Sequence, residues 1–209
     1  MEGKDYLDLN ALELDALKEV SNIGAGNAAT ALAHILSERV TMTVPQLRII
    51  PIRDLSSFLG DLEAEAVGVL MTFYGDLDGM LLYLLERPQA VSLLKLLRNS
   101  PAEDEHGALD AMDLSALEEI GNIVAGAYIN ALADLTGFRI ALTAPALAID
   151  MIGALLSYPA SIFGLLGDKV LFVREDFGSG NESVSCHLLI MPDPQSLARL
   201  MKRLGVSDG

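Results

Sequence analysis

The sequence predicts an α+β fold with a largely antiparallel sheet and two long helices related by pseudo-two-fold symmetry. Three observations predict it. Residues 11–49 align without a gap on 111–149, with seventeen identical positions at an offset of 100, so the chain is a tandem duplication whose copies must fold alike. Each copy opens with a long run of helical apolar spacing. After it, β-prone runs follow one another through short turns, which favours antiparallel pairing over the regular helix–strand alternation of a doubly wound sheet. No glycine-rich phosphate loop of the doubly wound type occurs.

Asn10 with Glu13 three residues on reads as a capping box opening the first helix, and Asp110 with Asp113 as a weaker version opening the second. The helices run to about Leu36 and Leu135. Their core-facing sets are Leu12, Ala16, Leu17, Val20 and Ile23, repeated as Met112, Ala116, Leu117, Ile120 and Ile123. Residues 39–44 and 138–143 are β-prone, and Pro45 and Pro145 end each run at a turn or strand edge. Strands are expected at 46–50 and 146–149.

In the first copy 66–74 and 79–85 form a hairpin about Gly75-Asp-Leu-Asp78, followed by a helix over 87–98 with Pro88 in its first turn. The second copy matches with strands at 169–173 and 184–191 and a helix at 194–204. An offset of 106 lays 82–98 on 188–204, so extra residues lie between 149 and 188. The apolar segment 151–156 has no equally apolar counterpart in 53–59, which makes it a candidate partner surface. An acidic, Pro- and Gly-containing join near 99–107 separates halves of about 1–103 and 104–209, read as one domain over 1–209.

Composition narrows the function. A net charge of −15 without a basic stripe excludes nucleic acid and anionic membranes as partners. A single cysteine, Cys186, permits no intrachain disulfide and suits a reducing compartment. The acidic first ten residues do not resemble a signal peptide, and no apolar run reaches spanning length, so a cytoplasmic location without membrane insertion is expected. The three histidines, His34, His106 and His187, are scattered, and Cys186 and His187 would face opposite ways on a strand. No metal site is expected. Nor is there a nucleophile: Ser21 and Ser115 have no histidine at helical spacing.

Attention falls on one strip of each long helix. Residues at i, i+4 and i+7 share a face, so Asp15, Glu19 and Asn22 lie together, as do Ser115, Glu119 and Asn122. Of the seventeen identities only four are polar: Glu19, Asn22, Arg39 and Thr43. Neighbouring surface positions have drifted, with Lys18 against Glu118 and His34 against Asp134. A solvated face is the bland account of such a strip, but it has no reason to keep one acid and one amide twice.

A carboxamide carries donor and acceptor without charge and can orient a water. A carboxylate would repel a phosphoryl group but can hold a cation belonging to a partner. The pair therefore suits hydrolysis of a phosphoryl group carried by another protein, the Glu gripping a lysine and the Asn aiming water. Such positioning is typically worth about two to three decades in rate and needs a good leaving group, such as an acyl phosphate on aspartate.

At these residues the chain resembles the CheC family of chemotaxis phosphatases, which also includes CheX and the FliY phosphatase domain. The family motif of Asp or Ser, Glu, Asn and a distant Pro is met by Asp15, Glu19, Asn22 and Pro45, and again by Ser115, Glu119, Asn122 and Pro145. The resemblance implies a tandem CheC-like fold and a phosphatase acting on the phosphoaspartate of CheY. Catalysis would fall to Glu19, Asn22, Glu119 and Asn122, and receiver docking to Asp15, Ser115, Pro45 and Pro145. Magnesium would come with the receiver, the chain having no cofactor of its own. The segment 148–153 resembles the region the family uses for the receptor deamidase CheD, which points to Asp150, Met151 and Ile152. Two alternatives are a non-catalytic adaptor for CheD or a phosphorylated receiver, and a structural part of a flagellar switch.

Overall fold

The computed structural model describes residues 11–36, 40–43, 45–98, 109–163, 169–179 and 182–204. In chain order the elements are α1 (Ala11–Leu36), β1 (Thr41–Met42), β2 (Gln46–Pro51), a 3-10 turn (Ile52–Asp54), α2 (Ser56–Leu59), β3 (Glu65–Gly75), β4 (Gly79–Glu86) and α3 (Arg87–Arg98). The second copy supplies α4 (Ala111–Thr136), β5 (Ile140–Leu142), β6 (Ala146–Met151), α5 (Ile152–Phe163), β7 (Lys169–Ser179), β8 (Glu182–Pro192) and α6 (Pro194–Arg203). The expected mixture of helices and antiparallel strands is what forms.

Among the described residues eight strands make one sheet in the order β1-β7-β8-β4-β3-β5, with β2 also on β7 and β6 also on β3. Every pairing is antiparallel. The copies exchange edges: β1 and β2 pair with β7 of the second copy, whereas β5 and β6 pair with β3 of the first. At the centre β4 lies against β8, Gly79 opposite Pro192 and Leu84 opposite His187.

The sheet is covered on both faces. Leu81, Tyr83 and Leu85 of β4 join an inner core with Leu17 and Val20 of α1, Leu117 and Val124 of α4, Leu93 of α3 and Leu197 of α6. Met80, Leu82 and Leu84 turn the other way, into an outer core with Leu55, Leu59 and Ile152. A strand buried on both sides needs apolar residues at every position, and β4 reads Gly-Met-Leu-Leu-Tyr-Leu-Leu-Glu for that reason. Cys186 faces the inner core while His187 stacks on Phe172 of the outer one, ring centroids 5.2 Å apart.

Local chemistry sets the helix ends. Asp110 caps α4 by accepting from the amides of Met112 and Asp113, and the Asp113 carboxylate accepts from the Asp110 amide, a complete capping box. Its other end stops at Gly137, left-handed at φ 70°. There the Arg203 guanidinium donates to the Thr136 carbonyl, tying α4 to α6. Asp193 caps α6 with Pro194 in the first helical position. The Asn10–Glu13 box and the join at 99–107 lie outside the described residues.

Four expectations change. Leu12 and Met112 are exposed: each lies two turns before Glu19 or Glu119 and so falls on their strip, not on the core face. The 106 offset fails inside the strands, where Leu82 faces the outer core and Leu188 the inner one; Tyr83 is the residue that shares Leu188's face. A one-residue slip reverses every side chain. The strand at 169–173 continues through Arg174, Glu175 and Asp176 to Ser179. The segment 53–59 does match 151–156 in role, since the 3-10 turn with α2 and the start of α5 cover the same outer face.

Candidate active site on the paired long helices

The two long helices lie side by side on the inner face, α1 packed directly on α4. Their close approach has a local cause. A Cβ on Gly24 would lie 2.8 Å from Cδ1 of Tyr128, and one on Gly121 would lie 2.8 Å from Cβ of Val69 on the sheet. Tyr128 in turn donates from its hydroxyl to the Glu175 carboxyl on β7. Glu175 is fully buried. Burial pushes its pKa up to about 8, so it is held protonated at neutral pH, and Cys186 Sγ lies 3.9 Å from its Oε2.

On the opposite side of the helices the predicted strips reach the surface. Asp15, Glu19 and Asn22 are exposed on α1; Ser115 and Glu119 are exposed on α4, with Asn122 half-buried. Asp15 accepts from Lys18 Nζ at 3.3 Å, a pair exposed enough to contribute little stability. Gly26 and Gly126 follow one turn after the Asn residues. No atom of the described residues outside the helix itself lies within 4 Å of where their Cβ would be. Neither has positive φ, which among the described glycines is found at Gly60, Gly75 and Gly137. A mid-helix glycine is about 1 kcal/mol less favourable than alanine, and nothing inside the described fold repays it.

Pro45 and Pro145 occupy a different setting. Met42 pairs with Phe177 and Gln46 with Arg174, so β1–β2 carries one residue more than the stretch of β7 it faces; Leu142 with Phe73 and Ala146 with Leu70 repeat this on β3. Both prolines, half-buried, therefore sit in one-residue bulges. The repeated threonines hold the same bulges: Thr43 N donates to Asp176 O at 3.1 Å and Thr143 N to Thr72 O at 2.9 Å. Thr143 Oγ1 also accepts from Thr72 N at 3.0 Å, a bond that fits a ladder interrupted by a residue without an amide hydrogen.

At the other surface Asp150 and Met151 end β6, both exposed, Met151 at 49%. Ile152 does not join them. It is 0% exposed in the outer core, where its amide donates to Ala64 O at 3.0 Å and that of Gly153 to Leu62 O at 2.9 Å. Opening α5 turns its side chain inward, so Ile152 is removed from the partner-facing set. Tyr158 on α5 is a further exposed large apolar residue. Among the described residues no three His, Cys, Asp or Glu side chains converge as metal ligands, and no described helix is long and apolar enough to cross a membrane.

Gly24-Ala-Gly26 reads in sequence as a place where another backbone comes close, and Gly24 does meet a neighbour, the Tyr128 ring; what sequence reasoning missed is Tyr128 and Glu175, which tie that contact to the sheet. A signal existed in the repeat. Where the first copy has Gly24 and Ala28 the second has Val124 and Tyr128, a small-for-large exchange that only makes sense if residue 24 of one helix faces residue 128 of the other.

A sequence model of the CheC-like family matches residues 12–49 and 112–149, the two long helices with the strands after them. The CheY-P phosphatase CheC of Bacillus subtilis is 32% identical over 198 residues, covering 93% of this chain and 95% of that protein. The flagellar motor switch phosphatase FliY of the same organism is 25% identical over 138 residues, 66% of this chain but 36% of that protein. In fold, the crystal structure of FliY from Thermotoga maritima superposes with a TM-score of 0.75 at 22% identity, covering 95% of this chain and 98% of that one. With similarity to a CheC spanning almost the full length of both proteins, and both copies of its repeat matched, this chain belongs to the CheC-like family.

Proposed function

We propose that the protein is a cytoplasmic hydrolase that removes the phosphoryl group from a phosphorylated CheY-type receiver, using Glu19 with Asn22 and Glu119 with Asn122. The observation that carries this reading is the repeated Glu and Asn, one helical turn apart and reaching the surface on two packed, equivalent helices. The near full-length similarity to a protein named a CheY-P phosphatase supports it.

Each Glu takes the receiver's lysine, whose charge offsets the approach of a carboxylate to a phosphoryl group. Each Asn accepts a hydrogen bond from a water and aims it in line at phosphorus. The P–O bond to the receiver's aspartate breaks as the water oxygen bonds, giving a free carboxylate and inorganic phosphate. The water's proton leaves with the phosphate, since a loose transition state needs no strong base. Magnesium belongs to the receiver. Asp15 and Ser115 lie at the foot of each strip and face the docking receiver; Pro45 and Pro145 act through the bulges that close each helix onto the sheet.

The test is the decay of a phosphorylated receiver. Asn22→Ala with Asn122→Ala is expected to remove the acceleration, about two to three decades, while receiver binding persists. Full acceleration by the double variant sinks the mechanism.

A second reading, an adaptor for a deamidase of CheD type, is favoured by the exposed Asp150 and Met151 at the end of β6. Met151→Lys is expected to abolish that binding and leave receiver dephosphorylation intact.

A further inference from the structure

Four glycines lie within the described long helices at or near the Glu/Asn strips, and they divide by cause. Gly24 and Gly121 each have an atom 2.8 Å from where a Cβ would be, and neither is kept by the other copy, which has Val124 and Ser21 there. Gly26 and Gly126 meet nothing among the described residues, have no positive φ, and are kept in both copies. The glycines with a packing reason are thus the ones that drift, and the ones without it stay. Their neighbours drift as well, Asn27 against Ala127 and Ala28 against Tyr128.

We infer that Gly26 and Gly126 are positioning residues of the two sites, bare stretches of helix against which the phosphorylated receiver seats more closely than a Cβ would permit. The inference rests on the phosphatase reading above. Four residues after each Asn, they stand on the same face about 6 Å along the helix axis. Asparagine is short, so its amide reaches a water at phosphorus only if the two proteins come close to the helix backbone itself. A side chain on the next turn would hold the receiver off. The Gly26 carbonyl already accepts from Thr30 Oγ1 at 2.8 Å, which leaves the Cα as the group presented to a partner.

The experiment compares the full chain with Gly26→Ala/Gly126→Ala and Gly26→Gln/Gly126→Gln. Thermal stability is measured beside affinity for, and dephosphorylation of, a CheY-type receiver charged with acetyl phosphate. Both variants are expected to melt at or above the parent's temperature. The Gln variant should lose at least about tenfold in kcat/KM and in receiver affinity, and the Ala variant less. A lower melting temperature would show that the glycines serve the fold, and unchanged affinity and turnover in the Gln variant would show that no close approach occurs there; either overturns the inference. A parent that neither binds nor accelerates decay overturns the phosphatase reading and this inference together, whereas an active parent matched by its variants overturns this inference alone.

Discussion

The Tyr128 ring lies against the bare backbone of Gly24, with Cδ1 2.8 Å from where a Cβ on Gly24 would sit. Because Tyr128 is also held by Glu175 of β7, this one contact joins α1, α4 and the sheet. It lies between the two helices that carry the Glu/Asn strips without belonging to either strip.

Gly24→Ala should therefore strain the fold even though alanine is the better helix former. Overpacking of this kind costs about 1–3 kcal/mol, more than the roughly 1 kcal/mol that helix propensity returns. Chemical denaturation should show a net loss of stability. A stabilised Gly24→Ala protein would mean that the Tyr128 ring swings aside freely.

Glu175 should give stability a negative slope with pH that ends at about pH 8. Its carboxyl is raised by burial from 4.5 to about 8, so the folded protein keeps a proton that the unfolded chain has lost, and stability falls as pH rises through that window. His187 acts in the opposite sense: burial first, then Arg174, lowers it from 6.5 to about 4, so its stability contribution is lost as pH falls from 6.5 towards 4. Between these two groups only Glu175 acts from pH 6.5 to 8. The slope there is at most about 1.4 kcal/mol per pH unit for one proton. Glu175→Gln, which keeps an acceptor for Tyr128, should flatten that stretch, and an unaltered slope in the variant refutes the assignment.

Charge reversal at the strips should separate docking from chemistry. Glu19→Lys with Glu119→Lys sets like charge against the receiver's lysine, and affinity measured at low salt should fall by an order of magnitude or more. The deficit should shrink as salt is added if the exposed charges act through solvent. Affinity equal to the parent's would remove the lysine-gripping role.

Thr143→Val should weaken the fold at the β5–β6 bulge by about 1 kcal/mol, since it removes the hydroxyl that accepts from Thr72 N and leaves that amide without its 3.0 Å partner. Turnover of the phosphorylated receiver should stay at the parent's level under conditions where the variant is folded. A fall in turnover at full folding would place the bulge in the site itself.

Much of this protein was determined locally and could be read without a structure. Apolar periodicity located α1 and α4, Asp110 with Asp113 marked where α4 begins, and the spacing from Glu19 to Asn22 put both on one face, because helix geometry fixes direction from residue number alone. What only the tertiary structure decided depends on which backbone lies beside which. Strand exchange between the copies, β2 on β7 and β6 on β3, leaves no mark in sequence because ladder hydrogen bonds are made by the main chain, common to all residues. Glu175 lies past the strand expected at 169–173, yet β7 carries it inward to Tyr128, and Ile152 looked like part of an exposed apolar segment until α5 folded it inward. Burial is a property of neighbours brought from far along the chain.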